Sequence, residues 1–145
     1  MLINKLLVLV FLQTTSVEFQ PVHTVTTFNE PVQAVFDGVD DAHVYVVEKD
    51  GVVLRVSLDK EATTNEKFMD IQDRVNVRNA EEGLLSLAFH PQYSTNKQLV
   101  VWYTAGKPKR TVLSRFTINS KTGVVDNDSE EVLLTVKQPW RNHNG

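Results

Sequence analysis

The stretch HVYVVEKDGVVLRVSL, residues 43–58, decides the fold class. Apolar residues dominate both halves, and the central Asp50-Gly51 supplies the positive backbone φ that a tight turn between antiparallel strands needs. The sequence therefore predicts a β-hairpin with strands at 43–48 and 52–58. Alternate residues of the second strand share a face, which predicts a half-buried strand with Val52, Leu54, Val56 and Leu58 on one side.

Further strand signals follow the hairpin. They are separated by turn-rich stretches and lie at residues 84–89, 99–104, 112–119 and 132–136. No stretch of ten residues keeps an apolar period of 3.6, so the predicted fold class is all-β. Residues 99–103 are apolar at every position, which predicts an interior strand.

A faint repeat runs through the chain. The apolar segments 34–36, 44–47 and 54–56 return as 87–89, 99–103 and 114–116. Their separation is near the blade period of a β-propeller, about 40–50 residues, although two gapped copies also fit chance. Since a propeller needs about 4–8 blades, 145 residues predict an incomplete propeller of two to three blades.

Charge and cysteine content narrow the class of protein. The formal net charge is −3, with acidic and basic residues interspersed, so the sequence lacks the clustered cations of a nucleic-acid-binding protein. The chain has no cysteine. An exported chain without disulfides fits a bacterial periplasmic or extracellular location better than an animal extracellular space.

The amino terminus resembles a secretory signal peptide. Lys5 precedes the apolar run Leu6–Leu12, and small polar residues follow up to Ser16. The run is too short to span a bilayer, which takes about 20 apolar residues, so no stable membrane span is expected. We predict export, with a signal peptide at 1–16 and the propeller domain at 17–145; a hydrophobic first strand is the alternative.

A longer segment carries a family resemblance. Residues 81–93, EEGLLSLAFHPQY, followed by Asn96 and the strand 100–104, resemble the signature of the glucose/sorbosone dehydrogenase family. These proteins are soluble quinoproteins related to aldose sugar dehydrogenases that use pyrroloquinoline quinone. Supporting matches lie at 68–71, 113–116 and 129–134, and the closing Asn142-His143-Asn144-Gly145 resembles the family's histidine motif.

The resemblance implies a six-bladed β-propeller whose axial cleft binds pyrroloquinoline quinone and calcium. It implies that His143 is the general base that takes a proton from a sugar hydroxyl while hydride passes to the quinone; an imidazole is largely neutral at pH 7 and suits this role. Asn142 and Glu81 are the implied substrate-binding residues. An external electron acceptor is the further implied partner. The main quinone and calcium ligands are expected outside these residues, so the fragment alone is expected to be inactive.

Each of these residues also has a plainer interpretation. A histidine in a polar terminal stretch is commonly a solvated side chain, and Glu81-Glu82 alone would be a solvated acidic pair. His90, which precedes Pro91 after a strand, is predicted to be structural. Two acidic groups are interpreted as turns rather than metal ligands, namely Asp37, Asp40 and Asp41, and the run Asp126-Asn127-Asp128.

Two other functions remain as alternatives. One is a non-catalytic propeller that acts as a binding module, as in the Hedgehog-interacting-protein-like branch of the superfamily, although that branch is rich in disulfides and this chain has no cysteine. The other is a propeller hydrolase such as a sugar lactonase, which needs a metal-binding acidic cluster. The sequence shows no such cluster.

Overall fold

The computed structural model describes residues 27–59, 61–62, 64–140 and 142. These residues form two four-stranded antiparallel sheets, with strand orders β1-β2-β3-β4 and β5-β6-β7-β8. The strands are β1 (Pro31–Val35), β2 (His43–Glu48), β3 (Val52–Ser57), β4 (Glu66–Asp70), β5 (Leu84–Phe89), β6 (Gln98–Ala105), β7 (Arg110–Ile118) and β8 (Val125–Lys137). Each sheet is a meander of the kind that forms one blade of a β-propeller. The predicted all-β, partial-propeller fold is confirmed, with two blades in the described residues.

Helix is scarce in this part of the chain. The described residues contain one helix, α1 (Tyr93–Asn96), which follows β5 and ends at Lys97 in the left-handed conformation. None of the described helices is long and apolar enough to cross a membrane. The predicted signal peptide at 1–16 lies outside the described residues and stays a prediction.

The hairpin that decides the fold class is confirmed. β2 pairs with β3 in antiparallel register, with Val47 opposite Val53. Gly51 has a φ of +111°, and a Cβ built there would lie 3.0 Å from the backbone of Gln72. The turn therefore needs glycine for both its conformation and its close approach. The expectation of one buried face is wrong, because Val52 and the adjacent Val53 are both buried.

The predicted repeat corresponds to the two blades. Its three segments fall on β1, β2 and β3 in the first sheet and on β5, β6 and β7 in the second. β1, β4 and α1 were not predicted as elements. Strand β4 had no clear alternation, and Asp126-Asn127-Asp128, interpreted as a turn, lies inside β8. The pairing of β7 with β8 shifts register in this region, so a bulge accommodates turn-forming residues within the strand.

The core lies between the two blades and contains a series of aromatic rings in contact with one another. Tyr45 of β2 contacts Phe68 of β4 and Phe89 of β5, with ring centroids 4.6 and 4.7 Å apart. Phe89 also contacts Tyr93, at 4.6 Å. Edge-to-face geometry of this kind contributes about 0.5–1.5 kcal/mol per pair beyond the burial of area. The rings therefore join β2 and β4 of the first sheet to β5 and α1 in one apolar layer.

The outer surface of the second blade is less well covered. Four large apolar side chains of β8 are 40% or more exposed: Val132, Leu133, Leu134 and Val136. β8 is also one of the two edge strands of its sheet, and the two sheets do not close into a ring. An exposed apolar edge strand is prone to pair with other chains.

Candidate functional site

The strand order gathers several connections at one end of the sheets. Residues 49–51 join β2 to β3, residues 71–83 lead from β4 to β5, and residues 106–109 join β6 to β7. In antiparallel meanders these connections, and the chain that follows β8, share one end of their blades. We call this end the site end. His90 lies at the opposite end, where β5 stops.

Backbone hydrogen bonds fasten the connections of the two blades together at the site end. The N–H of Leu84 donates to the carbonyl of Lys49 at 2.8 Å, which ties the start of β5 to the turn of the first blade. The N–H of Thr104 donates to the carbonyl of Gly83, also at 2.8 Å. The carbonyl of Thr104 in turn accepts from the N–H of Asn76 at 2.8 Å. The loops that carry the candidate residues are therefore held by both sheets.

Glu82 is the buried acid of this region. Its side chain is 0% exposed. Its carboxylate accepts hydrogen bonds from Nδ2 of Asn76 at 2.6 Å, and from Nδ2 and the backbone N–H of Asn79 at 2.5 and 3.2 Å. Nζ of Lys109 lies 3.1 Å from Oε1. Each lone-pair region of the carboxylate thus has a donor, which is the condition for burying a charge without a large cost.

The same contacts set the protonation of Glu82. Burial raises the pKa of this carboxyl, but the hydrogen bonds from Asn79 and Lys109 act in the opposite direction and outweigh it, so the pKa lies below its ordinary value. The interpretation of Glu81-Glu82 as a solvated acidic pair is therefore wrong for Glu82. Glu82 precedes β5 and lies outside the strands, so no strand alternation marked it as buried in the sequence.

A polar cavity of about 540 Å³ adjoins Glu82. Its charged and amide lining comes from residues 73–82 and 106–109, namely Asp73, Arg74, Asn76, Arg78, Asn79, Glu82, Lys107 and Lys109. Arg74 and Lys109 have acidic partners, whereas Arg78 and Lys107 form no ion pair or hydrogen bond with another described residue. The cavity therefore has a surplus of positive charge, which suits an anionic ligand.

A second acid, Glu130 of β8, joins the two blades. It lies 2.8 Å from Nη1 of Arg74 and accepts hydrogen bonds from the hydroxyls of Tyr103 and Ser114 at 2.8 and 2.7 Å. Burial, with a smaller contribution from Glu130, raises the pKa of Tyr103 to about 12. Arg74 belongs to the connection from the first blade. This network therefore fixes one cationic wall of the cavity against the second blade.

The three predicted site residues, Glu81, Asn142 and His143, differ in where they lie relative to the cavity and the described residues. Glu81 is exposed and does not line the 540 Å³ cavity, whereas its neighbour Glu82 does. Asn142 is exposed and follows β8 at the site end. His143 lies outside the described residues. The roles of all three stay predictions.

His90 and Asp37 have the structural roles that were predicted for them. Nδ1 of His90 accepts the backbone N–H of Gln92 at 3.0 Å and lies 2.8 Å from Nδ2 of Asn96, so this histidine organises the loop around α1. Oδ1 of Asp37 accepts the N–H groups of Val39 and Asp40 at 2.8 and 2.9 Å, as in a turn. In the part of the chain that the structure describes, no group of three or more His, Cys, Asp or Glu residues is placed to hold a metal ion.

Replacing Glu82 by glutamine tests the buried charge. We expect Glu82→Gln to lower the free energy of unfolding by about 2 kcal/mol at pH 7, since hydrogen bonds to a charged group contribute more than neutral ones. The contribution of Glu82 is fully present above the ordinary pKa of 4.5 and is lost as the pH falls through the lowered folded-state value. The difference between the two proteins, measured by chemical denaturation, should therefore shrink in acid.

A matched control is Glu131→Gln. Glu131 pairs with Arg115 across exposed strands, and its side chain is 58% exposed. Such a pair contributes at most about 1 kcal/mol. If both substitutions have the same effect at pH 7, the Glu82 carboxylate is not a structural charge.

Comparison with known sequences gives animal relatives. No family model matches the chain. It is 31% identical over 128 residues to the Hedgehog-interacting protein of Mus musculus, and 30% identical over 133 residues to that of Homo sapiens. These alignments cover 80% and 83% of this chain but 18% and 19% of the relatives. The chain thus spans about a fifth of the length of the curated relatives it matches.

Comparison with solved structures gives sugar dehydrogenases. The fold is similar to the PQQ-bound form of an aldose sugar dehydrogenase from Streptomyces coelicolor, with a TM-score of 0.60 and 18% identity over 77% of this chain and 31% of that one. It is also similar to a glucose dehydrogenase, with a TM-score of 0.61 and 14% identity over 81% of this chain and 33% of that one. The resemblance stated from the sequence is confirmed at the level of the fold: the described residues form part of a β-propeller like those of the aldose sugar and glucose dehydrogenases.

Proposed function

We propose that the full-length protein is a sugar dehydrogenase that transfers hydride from a sugar hydroxyl to pyrroloquinoline quinone, with His143 as the general base. One observation carries the proposal. Lys109 lines the polar cavity and hydrogen-bonds to the carbonyl of Trp140, two residues before the histidine motif in the sequence.

The described residues fit part of a quinone site. Pyrroloquinoline quinone is a polycarboxylate, and Arg78 and Lys107 are the cavity cations without an acidic partner among the described residues. They would bind a carboxylate of the cofactor. When bound, the quinone supplies the hydride acceptor. In the described part of the chain, no three or more His, Cys, Asp or Glu side chains cluster to hold calcium, so no step is assigned to it.

In this proposal, side chains of the protein bind the sugar and accept its hydroxyl proton. The unprotonated nitrogen of the His143 imidazole would take the hydroxyl proton of the sugar as the C–H hydride leaves, which yields a carbonyl product. The Asn142 amide would hydrogen-bond a neighbouring hydroxyl without adding charge. A carboxylate at Glu81, if it faces the imidazole in the complete propeller, would favour the protonated form of that imidazole after the transfer.

The proposal is tested with the full-length protein. Purified protein is titrated with pyrroloquinoline quinone and followed by absorbance, and is then assayed with calcium, a redox dye and a panel of aldoses. We expect saturable quinone binding and dye reduction that requires both quinone and sugar. The double variant Arg78→Ala, Lys107→Ala should bind quinone more weakly. Full-length protein that binds quinone but oxidises no sugar would contradict the proposal.

A second candidate function is a protein-binding propeller. The observation that favours it is the 30–31% identity to Hedgehog-interacting proteins, which exceeds the identity to any of the dehydrogenase structures given above. The absence of cysteine from this chain weighs against it. Surface plasmon resonance of the full-length protein against a Hedgehog ligand, together with absent quinone binding, would favour this function over the dehydrogenase.

A further inference from the structure

Lys109 connects the cavity wall to the chain that leads to the histidine motif. Its Nζ lies 3.1 Å from Oε1 of Glu82 and also donates a hydrogen bond to the backbone carbonyl of Trp140. The backbone carbonyl of Lys109 accepts the N–H of Gln138 at 3.2 Å. Lys109 therefore holds the chain on both sides of Pro139, just after β8 ends.

The position of this ammonium group is itself fixed. A lysine stem is flexible, but the side chain of Lys109 is only 21% exposed and that of its partner Glu82 is 0% exposed. The Glu82 carboxylate cannot follow a moving lysine, because Asn76 and Asn79 hold both of its oxygens. A charge-assisted hydrogen bond between two fixed partners loses little further entropy when it forms.

Apolar packing does little to hold the same stretch. The Trp140 side chain is 71% exposed, and Asn142 is also exposed. Chain that leaves the end of a strand without buried side chains opens easily. Among the described residues that follow Lys137, the contacts with Lys109 and the hydrogen bond from Gln138 to Thr111 at 2.8 Å are the side-chain anchors that the structure shows.

We propose that Lys109, held by Glu82, is a positioning residue for the segment that starts at Trp140 and leads in sequence to His143. The cation acts on the backbone of this segment and not on the substrate. Its effect on catalysis depends on the proposed dehydrogenase function, whereas its effect on the segment does not. The two parts are therefore measured separately.

The segment itself is tested by limited proteolysis of the full-length protein. Trypsin cleaves after Arg141, and cleavage in a folded protein requires local opening of the chain. Lys109→Met keeps the apolar stem but has no donor for the Trp140 carbonyl. We expect cleavage of the Arg141–Asn142 bond, followed by mass spectrometry, to become about tenfold faster, as the loss of one charge-assisted hydrogen bond predicts.

Three variants separate positioning from general destabilisation. Lys109→Arg keeps a cationic donor and should restore slow cleavage. Glu82→Gln should destabilise the protein but leave the Trp140 hydrogen bond, so cleavage should rise less than in Lys109→Met. Lys121→Met, on an exposed loop at the other end of the blade, should not change it. Lys109→Leu, which also lacks a donor, replaces Lys109→Met if the latter does not fold.

The catalytic part uses the sugar-oxidation assay. We expect Lys109→Met to lower kcat about tenfold with little change in KM, and Lys109→Arg to recover most of kcat. Unchanged cleavage at Arg141 in Lys109→Met overturns the positioning inference. If the wild-type full-length protein oxidises no sugar, the proposed function fails, and the cleavage series alone decides whether Lys109 holds the segment.

Discussion

Gly83→Ala is expected to lower the free energy of unfolding by about 4 kcal/mol, since it combines backbone strain with a steric clash. Gly83 has a φ of +150°, which side-chain-bearing residues rarely adopt. A Cβ at this position would lie 2.6 Å from the carbonyl oxygen of Lys49 and 2.5 Å from its Cγ. The lysine side chain can move, but the backbone oxygen cannot, because it accepts the hydrogen bond from Leu84.

The substitution Gly83→Ala should disturb hydrogen bonds in both blades. The carbonyl of Gly83 accepts the N–H of Thr104, so displacement of residue 83 disturbs the hydrogen bonds to β6 as well as to the turn of the first blade. Equilibrium denaturation of the full-length protein, monitored by tryptophan fluorescence, measures the effect. Gly106→Ala is the control, because its φ is not in the left-handed region and its nearest neighbours, the side-chain atoms of Asn76, are at least 3.7 Å away. Equal stability of the two variants would contradict the prediction.

The sequence predicted the fold correctly where the local strand and turn preferences agree with the pairing in the folded protein. Asp50-Gly51 between two β-branched runs indicates a hairpin whatever the rest of the chain does, and the pairing of Val47 with Val53 confirms it. Residues 66–70 have no comparable local signal, and their pairing with β3 depends on contacts distant in sequence. Asn127 has a turn preference, yet its side-chain amide donates to the carbonyl of Asp70 in the other blade at 2.7 Å, and the bulge keeps it in β8.

The sequence predicted only some of the candidate site residues, for a related reason. Family motifs drew attention to Glu81 and to the Asn142-His143 pair, and the strand order brings Asn142 to the site end. The burial of Glu82 depends on Lys109, which is 27 positions away, and on two asparagines in a loop without regular structure. Nothing in residues 76–82 alone distinguishes this carboxylate from a solvated one. The Glu82 carboxylate is buried and paired only because the fold brings the connection 71–83 against the connection 106–109.

His143→Ala is expected to lower kcat for sugar oxidation by about 10²–10⁴-fold, the usual contribution of a general base. The proton of the sugar hydroxyl would then pass to water, which is a weaker base at neutral pH. Quinone affinity should remain close to that of the wild type, since the imidazole is assigned to the substrate. The measurement combines steady-state kinetics with quinone titration of the full-length protein.

The pH profile distinguishes a base from a residue that only shapes the site. With His143 as the base, kcat/KM should fall as the pH drops and the imidazole becomes protonated, and this limb should be absent in His143→Ala. His90→Ala is the matched control, because His90 organises the loop at the opposite end of the blade through Gln92 and Asn96. Its kcat should stay within about twofold of the wild type, as expected for a site remote from the chemistry. A His143→Ala variant that retains both its rate and its acidic limb would assign the base to another residue, and a profile that changes equally in His90→Ala would show that the histidines act through stability alone.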